Sequence, residues 1–423
     1  MDMLSQSWYP QPPPLPSPAG KTIRVTTVEE LFAAARNVQP GETILIADGH
    51  YMMPTVFTIT TDRVIVRSES GDRDKVVLDG ADSAHGELFG FTECHGSTVA
   101  DLTIQNIMHN GFKFNGNVGR SVKDLTIHNC VMHNIWQRGV KSVSGPEAPA
   151  DSDLPPRPSA DGTPPVPRQF VDNCTIRYCL FYNDRPKRFE DDSYELENPK
   201  KFGGNYIAGL DVMSARGWTI SDNVLIGIKG RTGGARGAIF MWQGSEDVRI
   251  ERNIVIDCDS GMWLGLSYPP DDSRSCVRYL VANNFVTRAR CAGILLSRHA
   301  GSRILHNTIC DPVDIADRPA GTDIDDGGVL FDNPEPRSRP LRIGLDNEDL
   351  LVADNLLSGP SDIHINECAG QLQLRHNPWL RETSPSPFVD PDRGDLRLTP
   401  EAGETLTAGA VLEDNCEDIG DGQ

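Results

Sequence analysis

From about residue 99 one pattern recurs: an apolar–polar–apolar strand, an Asn, a second short strand, a turn, then a Gly followed by alternating residues. One coil runs from Leu102-Thr103-Ile104-Gln105-Asn106 to Gly111-Phe112-Lys113-Phe114, and the next from Leu125-Thr126-Ile127-His128-Asn129 to Gly139-Val140-Lys141. Asn223, Asn253, Asn284, Asn307 and Asn355 return at the same point of later coils. Where no insertion intervenes, the repeat is about 23 to 31 residues long, the length of a three-strand solenoid turn and too short for a strand–helix–strand crossover. An apolar period of about 2 rather than about 3.6 excludes helical repeats. The pattern predicts an all-β, right-handed parallel β-helix in which each coil brings its own slice of core, so 423 residues need not split into globular domains.

The solenoid is expected to span residues 21–379. Residues 1–20, with Pro10, Pro12, Pro13, Pro14, Pro16 and Pro18, read as a disordered leader outside the fold. Thr27-Val28-Glu29-Glu30 fits a capping box that opens a short helix with Val28, Leu31, Phe32 and Ala35 on one face, a cap for the open solenoid end. Insertions fall near 143–169, 184–204 and 311–349, and residues 380–423 read as a tail that closes the stack. The first two insertions flank the Gly-led strands and so open onto one side, which makes that rim the place to look for a site. Asn suits a tight bend because it tolerates the left-handed region and its amide can bond neighbouring backbone, so the recurrent Asn residues are read as a structural ladder. Ten cysteines without CxxC spacing suggest neither a zinc site nor a disulfide scaffold. Cys130 and Cys179 fall at matching places one coil apart, within reach of a disulfide, though free core thiols are the plainer reading.

A net charge of −20 argues against partners that need a basic face, such as nucleic acid or anionic lipid. No apolar run approaches the roughly 18 residues needed to span a bilayer, and Met1 to Gly20 shows no export signal. No G-x-S-x-G elbow supports a serine hydrolase.

Alternation along the Gly-led strands turns Phe112, Val140, Leu210, Ile239, Met262 and Ile294 inward and Lys113, Lys141, Asp211, Phe240, Trp263 and Leu295 outward. The Gly237 coil fits this only if a one-residue bulge exposes Phe240 and Trp242. Arg138, Asn115, Arg236 and Trp242 lie beside the stripe. Cations for carboxylates or sulfates and aromatic faces for sugar rings suit an anionic glycan held along the axis. A Lys close to other cations has its pKa drawn down toward neutrality and can take a proton. The expectation is therefore that Lys141, with Lys113 as its cationic neighbour, removes the proton α to a uronate carboxylate. Arg138 or Lys113 neutralises that carboxylate, and Asp211 orients Lys141 or binds a cation. Lys113, Asn115, Arg236, Phe240, Trp242 and Trp263 would hold substrate. No cofactor is required by the pattern; Ca²⁺ is the one candidate, with Asp191 and Asp192 of the second insertion as possible ligands, and no metal residues can be named. A monomer acting on a polysaccharide is expected, and with a single carboxylate on the stripe a glycoside hydrolase is not. The alternative is a non-catalytic carbohydrate-binding or structural β-helix.

The coil pattern over about 99–377 resembles bacterial right-handed parallel β-helix repeat proteins. The stretch from Val28-Glu29-Glu30-Leu31 through Pro40-Gly41-Glu42-Thr43-Ile44 and Ala47-Asp48-Gly49-His50-Tyr51 to Val77-Leu78-Asp79-Gly80 is similar to the opening of chondroitinase B and alginate lyase type polysaccharide lyases. Glu417-Asp418-Ile419-Gly420-Asp421 is similar to a tail common in these repeat proteins. The resemblance implies β-elimination by a Lys followed by Ser, which Val140-Lys141-Ser142 matches, and an extracellular or periplasmic location. Asp211 stands where it would place an Arg, and no Glu-x-Glu for Ca²⁺ precedes Lys141 within His133 to Gly139.

Overall fold

The computed structural model describes residues 3–116, 121–143, 170–266, 274–310, 339–344, 346–359, 362–365, 371–380 and 385–406. Parallel strands build sheets of twelve, eleven, ten and five strands, each successive coil adding a strand to the long ones. The result is a right-handed parallel β-helix, the hand that strand crossovers take. The ten-stranded sheet carries the Gly-led strands: β1 (Phe57–Ile59), β2 (Glu87–Thr92), β3 (Asn110–Asn115), β4 (Arg138–Val143), β5 (Ala208–Met213), β6 (Gly237–Trp242), β7 (Ser260–Leu264), β8 (Ala292–Leu296), β9 (Arg339–Ile343) and β10 (His364–Ile365). Its register puts Phe112, Val140, Leu210, Ile239, Met262, Ile294 and Leu341 in one inward row, and every one is buried.

Glycine leads these strands because the backbone there turns a corner into the core. A Cβ on Gly139 would sit 2.6 Å from the Gly209 carbonyl oxygen and 2.7 Å from the Phe181 ring. In the sixth strand the small residue at this point is Ala238, since Gly237 pairs with Ala208 and Leu210 with Ile239 in unbroken register. The bulge expected there is therefore absent: Ile239 and Met241 face the core and Phe240 and Trp242 face out on plain alternation.

Asn223, Asn253, Asn284, Asn307, Asn355 and Asn377 form a ladder in which each Nδ2 donates to the Oδ1 of the next at 2.8–3.0 Å. Each Oδ1 also accepts the backbone N–H of the preceding rung, as from Asn223 to Asn253 at 3.1 Å, so the buried amides are satisfied. The left-handed conformation falls one residue earlier, on Asp222, Arg252, Asn283, His306 and Asp354. The amide, not backbone tolerance, is what selects Asn. Cys130 and Cys179 head this column, and Cys179 N–H donates to Asn223 Oδ1 at 2.9 Å. Asn129 (φ 50°) is itself the left-handed residue before Cys130, and Asn106 (φ 55°) turns a different bend, level with Asn134. The cysteines of the described residues are free, and burial pushes the Cys179 thiol up to about 12.

The helix α1 (Val28–Asn37) caps the open end as expected: Thr27 Oγ1 accepts from Glu30 N–H, and Phe32 meets Phe57 edge-on at 5.7 Å. Both termini depart from expectation. Residues 3–20 lie on the solenoid, with Tyr9 buried against Val131, Leu180, Val224, Ile226, Ile254 and Ile256. Pro13 and Pro16 carbonyls accept from His128 and Arg67. Those outward Val and Ile side chains need cover, and an extended Pro-rich strand loses little entropy in giving it. Of the tail beyond residue 380, residues 385–406 are described. Its hairpin, Phe388–Asp390 with Asp395–Leu398, lies along the flank over Phe285, Leu356 and Cys310. The third insertion is shorter than expected at its far side, because Arg339–Ile343 is the rung β9. Residues 144–169, 311–338 and 407–423, with the Glu417–Asp421 motif, fall outside the described residues.

Candidate functional site

The outward column of the ten-stranded sheet runs Lys113, Lys141, Asp211, Phe240, Trp263, Leu295, Arg342, each paired with the next. Beside it, at the strand starts, Glu87, Asn110, Arg138 and Ala208 form a second column. Because the chain bends at Gly139, Arg138 and Lys141 emerge on the same side.

Asp211 is the hub. Its Oδ1 accepts from Lys141 Nζ at 2.8 Å and from the Trp242 indole N–H at 2.9 Å, and its Oδ2 accepts from Arg138 Nε at 3.1 Å. Burial alone would raise the Asp211 pKa, but Lys141, Arg138 and these hydrogen bonds hold it well below the usual carboxylate range. For Lys141, burial is the largest influence and depresses the ammonium; Asp211 opposes it, Arg138 and Arg236 add to it, and the pKa falls to about 8. Lys141 lies over the Trp242 ring at 5.5 Å, and Trp242 stacks on Phe240 at 5.5 Å.

The second insertion supplies the rest. It folds as a 3-10 turn (Phe189–Asp191) and two short helices, α2 (Ser193–Glu197) and α3 (Pro199–Phe202). Beneath it Lys187, Asp192 and Glu195 are paired with both carboxylates and the ammonium at 0% exposure. Asp192 Oδ2 also accepts from Gln137, whose own side chain takes a hydrogen bond from Arg138. Tyr206 follows the insertion: its ring lies 4.2 Å from the Arg138 guanidinium and stacks on Phe202 at 4.4 Å. Its backbone N–H donates to Glu195 and its carbonyl accepts from Lys187. The Arg236 guanidinium sits 5.1 Å from the Tyr206 ring and 5.4 Å from that of Phe240.

The structure thus brings together Lys141, Arg138, Asp211, Arg236, Phe240, Trp242 and Trp263. Three expectations are corrected. Lys113 is not the cation acting on Lys141, because it pairs with Glu87, and Arg138 and Arg236 take that part. Asn115 is level with Lys113's strand end and donates to Thr92. The stripe is also not an open surface: Lys141 is 7% exposed and Asp211, Phe240 and Trp263 are buried, while Arg138, Lys113, Asn115, Trp242 and Tyr206 are half-buried. The carboxylates considered for Ca²⁺ are engaged within the protein, Asp191 with Arg185 at 2.6 Å and Asp192 as described. Among the described residues no three His, Cys, Asp or Glu side chains gather as a metal site. A cavity of about 340 Å³ lies elsewhere, between the leader and the bend at Asn129 and Tyr178.

Reasoning from sequence missed Tyr206, Gln137, Lys187, Glu195 and Glu87. Glu87 could have been found by extending the Arg138–Asn110 column one coil back. It does not revive hydrolysis: three rungs separate Glu87 from Asp211, about 14 Å, more than the roughly 5–10 Å that paired glycosidase carboxylates span. Tyr206 carried only the signal of an aromatic at the end of the insertion.

Fold and site together define a parallel β-helix with a buried Lys–Asp–Arg cluster on the outward side of one long sheet. No protein-family model matches the chain, and no curated protein matches it. Among solved structures it is similar to the PL6 family alginate lyase AlyGC, with 12% identity, a TM-score of 0.52, and 81% of this chain and 40% of that one covered. The chain therefore spans 40% of that lyase's length. A mannuronic acid specific family 6 lyase from human gut microbiota gives 16% identity, 92% and 93% coverage, and a TM-score of 0.47. PfbA, a surface adhesin of Streptococcus pneumoniae, gives 10% identity, 84% and 86% coverage, and 0.47. Likeness at these identities concerns the fold alone. No helix among the described residues is long and apolar enough to cross a membrane.

Proposed function

We propose that the protein cleaves an anionic, uronate-containing polysaccharide by β-elimination, with Lys141 as the base. The observation that carries this reading is a buried Lys whose pKa is drawn to about 8 while its only described carboxylate partner is shared with an Arg. About a tenth of such a lysine is neutral at pH 7, enough for a proton acceptor. Arg138 is placed to neutralise the uronate carboxylate, Asp211 to aim Lys141, and Trp242, Phe240, Trp263 and Arg236 to form the wall against which sugar rings rest. The names of the similar lyases accord with this reading, and an extracellular or periplasmic location goes with it.

The test is incubation with uronate polymers while following ultraviolet absorbance of the unsaturated product. The expected result is product from the wild type and none from Lys141→Ala, with polymer binding retained; equal cleavage by both would end the proposal. A second reading, a non-catalytic carbohydrate-binding or structural β-helix, draws on the same burial, because an ammonium 2.8 Å from Asp211 is also a structural ion pair. Binding by the wild type without any unsaturated product decides for it.

A further inference from the structure

We infer that the Tyr206 hydroxyl is the proton donor to the leaving oxygen in this elimination, an assignment that rests on Lys141 being the base. Elimination next to a uronate carboxylate needs two groups. One removes the proton from C5; the other protonates the O4 that departs from C4, since a sugar alkoxide is too basic to leave bare. Around Lys141 the candidates for the second role are few. Asp211 accepts three hydrogen bonds and is ionised. The Arg138 and Arg236 guanidiniums do not release protons at working pH. The Trp242 indole N–H is committed to Asp211. Tyr206 is the neutral hydroxyl at the other end of the chain Lys141–Asp211–Arg138–Tyr206, where its ring lies 4.2 Å from the Arg138 guanidinium.

Three features suit it to donate. Burial, with Asp211 nearby, raises the phenol's pKa, so it stays protonated where Lys141 is neutral. Two guanidiniums, at 4.2 Å and 5.1 Å from its ring, are in place to stabilise the phenolate once the proton has gone. Its backbone is tied at both polar groups to the buried Lys187–Glu195 pair, so the insertion's ion cluster serves to hold the donor over Arg138. In the step, neutral Lys141 Nζ takes the C5 proton and the C–H electron pair becomes the C4–C5 double bond. The C4–O4 bond breaks with its electrons on O4, and O4 takes the Tyr206 proton. The phenolate regains a proton from the Lys141 ammonium through solvent, so no oxidant or co-reactant is needed.

The experiment compares wild type and Tyr206→Phe on two substrates: a polyuronate, and a uronide carrying 4-nitrophenoxide at C4, which leaves without being protonated. Phe keeps the stacking on Phe202, and an unchanged Tm checks that the variant is folded. The expected result is a loss of about 10²–10⁴-fold in kcat on the polymer, with KM little changed and nitrophenolate release held within a few-fold. Equal loss on both substrates, which a merely structural role would give, overturns the assignment, as does no loss on either. A wild type silent on both substrates fails the elimination reading itself and takes the assignment with it; a wild type active on both, with Tyr206→Phe unimpaired, fails the assignment alone.

Discussion

Replacing Arg138 with Met tests the electrostatics on which the role of Lys141 depends. The two cations grip one carboxylate from either side, Lys141 at 2.8 Å from Oδ1 and Arg138 at 3.1 Å from Oδ2. Their charges are then about 5 Å apart, and at an effective dielectric near 20 they repel by about 3 kcal/mol. That is about two pH units. Removing the guanidinium therefore lifts Lys141 from about 8 back to about 10. Because the base must be neutral, the rate rises with pH up to the Lys141 pKa and levels above it. In Arg138→Met this limb of the kcat profile moves up by about two pH units, and at pH 7 kcat falls by about a hundredfold. A second measurement does not need activity. With a folded pKa of about 8 against an ordinary 10.5, the unfolded chain holds a proton that the folded one has lost between those values. Stability therefore rises with pH across that window, by about 3 kcal/mol in all. The difference between wild-type and variant denaturation free energies, followed from pH 7 to pH 10, should grow by about 2 kcal/mol, the part of that gain that falls below pH 10. A variant whose kinetic limb stays in place, or a flat stability difference, refutes the reasoning.

Lys187→Met should cost about 3–5 kcal/mol in chemical denaturation, because it strands the Asp192 and Glu195 carboxylates in the interior. It should also speed amide exchange over residues 184–204; a cost below about 1 kcal/mol would show the cluster to be hydrated. Asn253→Ala should cost about 2–4 kcal/mol, since it leaves the Asn223 amide and the Asn223 backbone N–H without their acceptor. Thermal melting should show the loss, and a neutral result would mean that the ladder only fills space.

The register of the site was legible in the sequence because it depends on alternation alone. Period 2, counted from the Gly-led strands, put Lys113, Lys141, Asp211 and Trp263 in the order that the paired strands display, whereas Phe240 was reached only through a bulge that the register does not contain. What alternation cannot report is how much of that side is covered. The burial of Asp211 and Phe240 depends on packing beyond the strands, and the partners of Arg138 include Tyr206, which follows an insertion without periodicity, and Gln137, whose side chain bonds Asp192 of that insertion. The termini were misread for a different reason. Val131, Val224, Ile226, Ile254 and Ile256 were there to be seen at outward positions, and a row of apolar side chains on the wrong parity implies a cover. The ladder was legible as a recurrence, but recurrence did not show which residue of the bend takes the left-handed conformation.

Two lysines are buried in this part of the protein, and their surroundings give a reason to propose Lys141 rather than Lys187 as the proton acceptor. Lys187 has two carboxylates to itself, Asp192 and Glu195, and a carbonyl oxygen from Tyr206. Lys141 has one carboxylate, and Arg138 and the Trp242 indole draw on the same two oxygens. A carboxylate divided three ways solvates each donor less well, and a guanidinium cannot give up its proton to relieve the crowding. Lysine is then the group that yields.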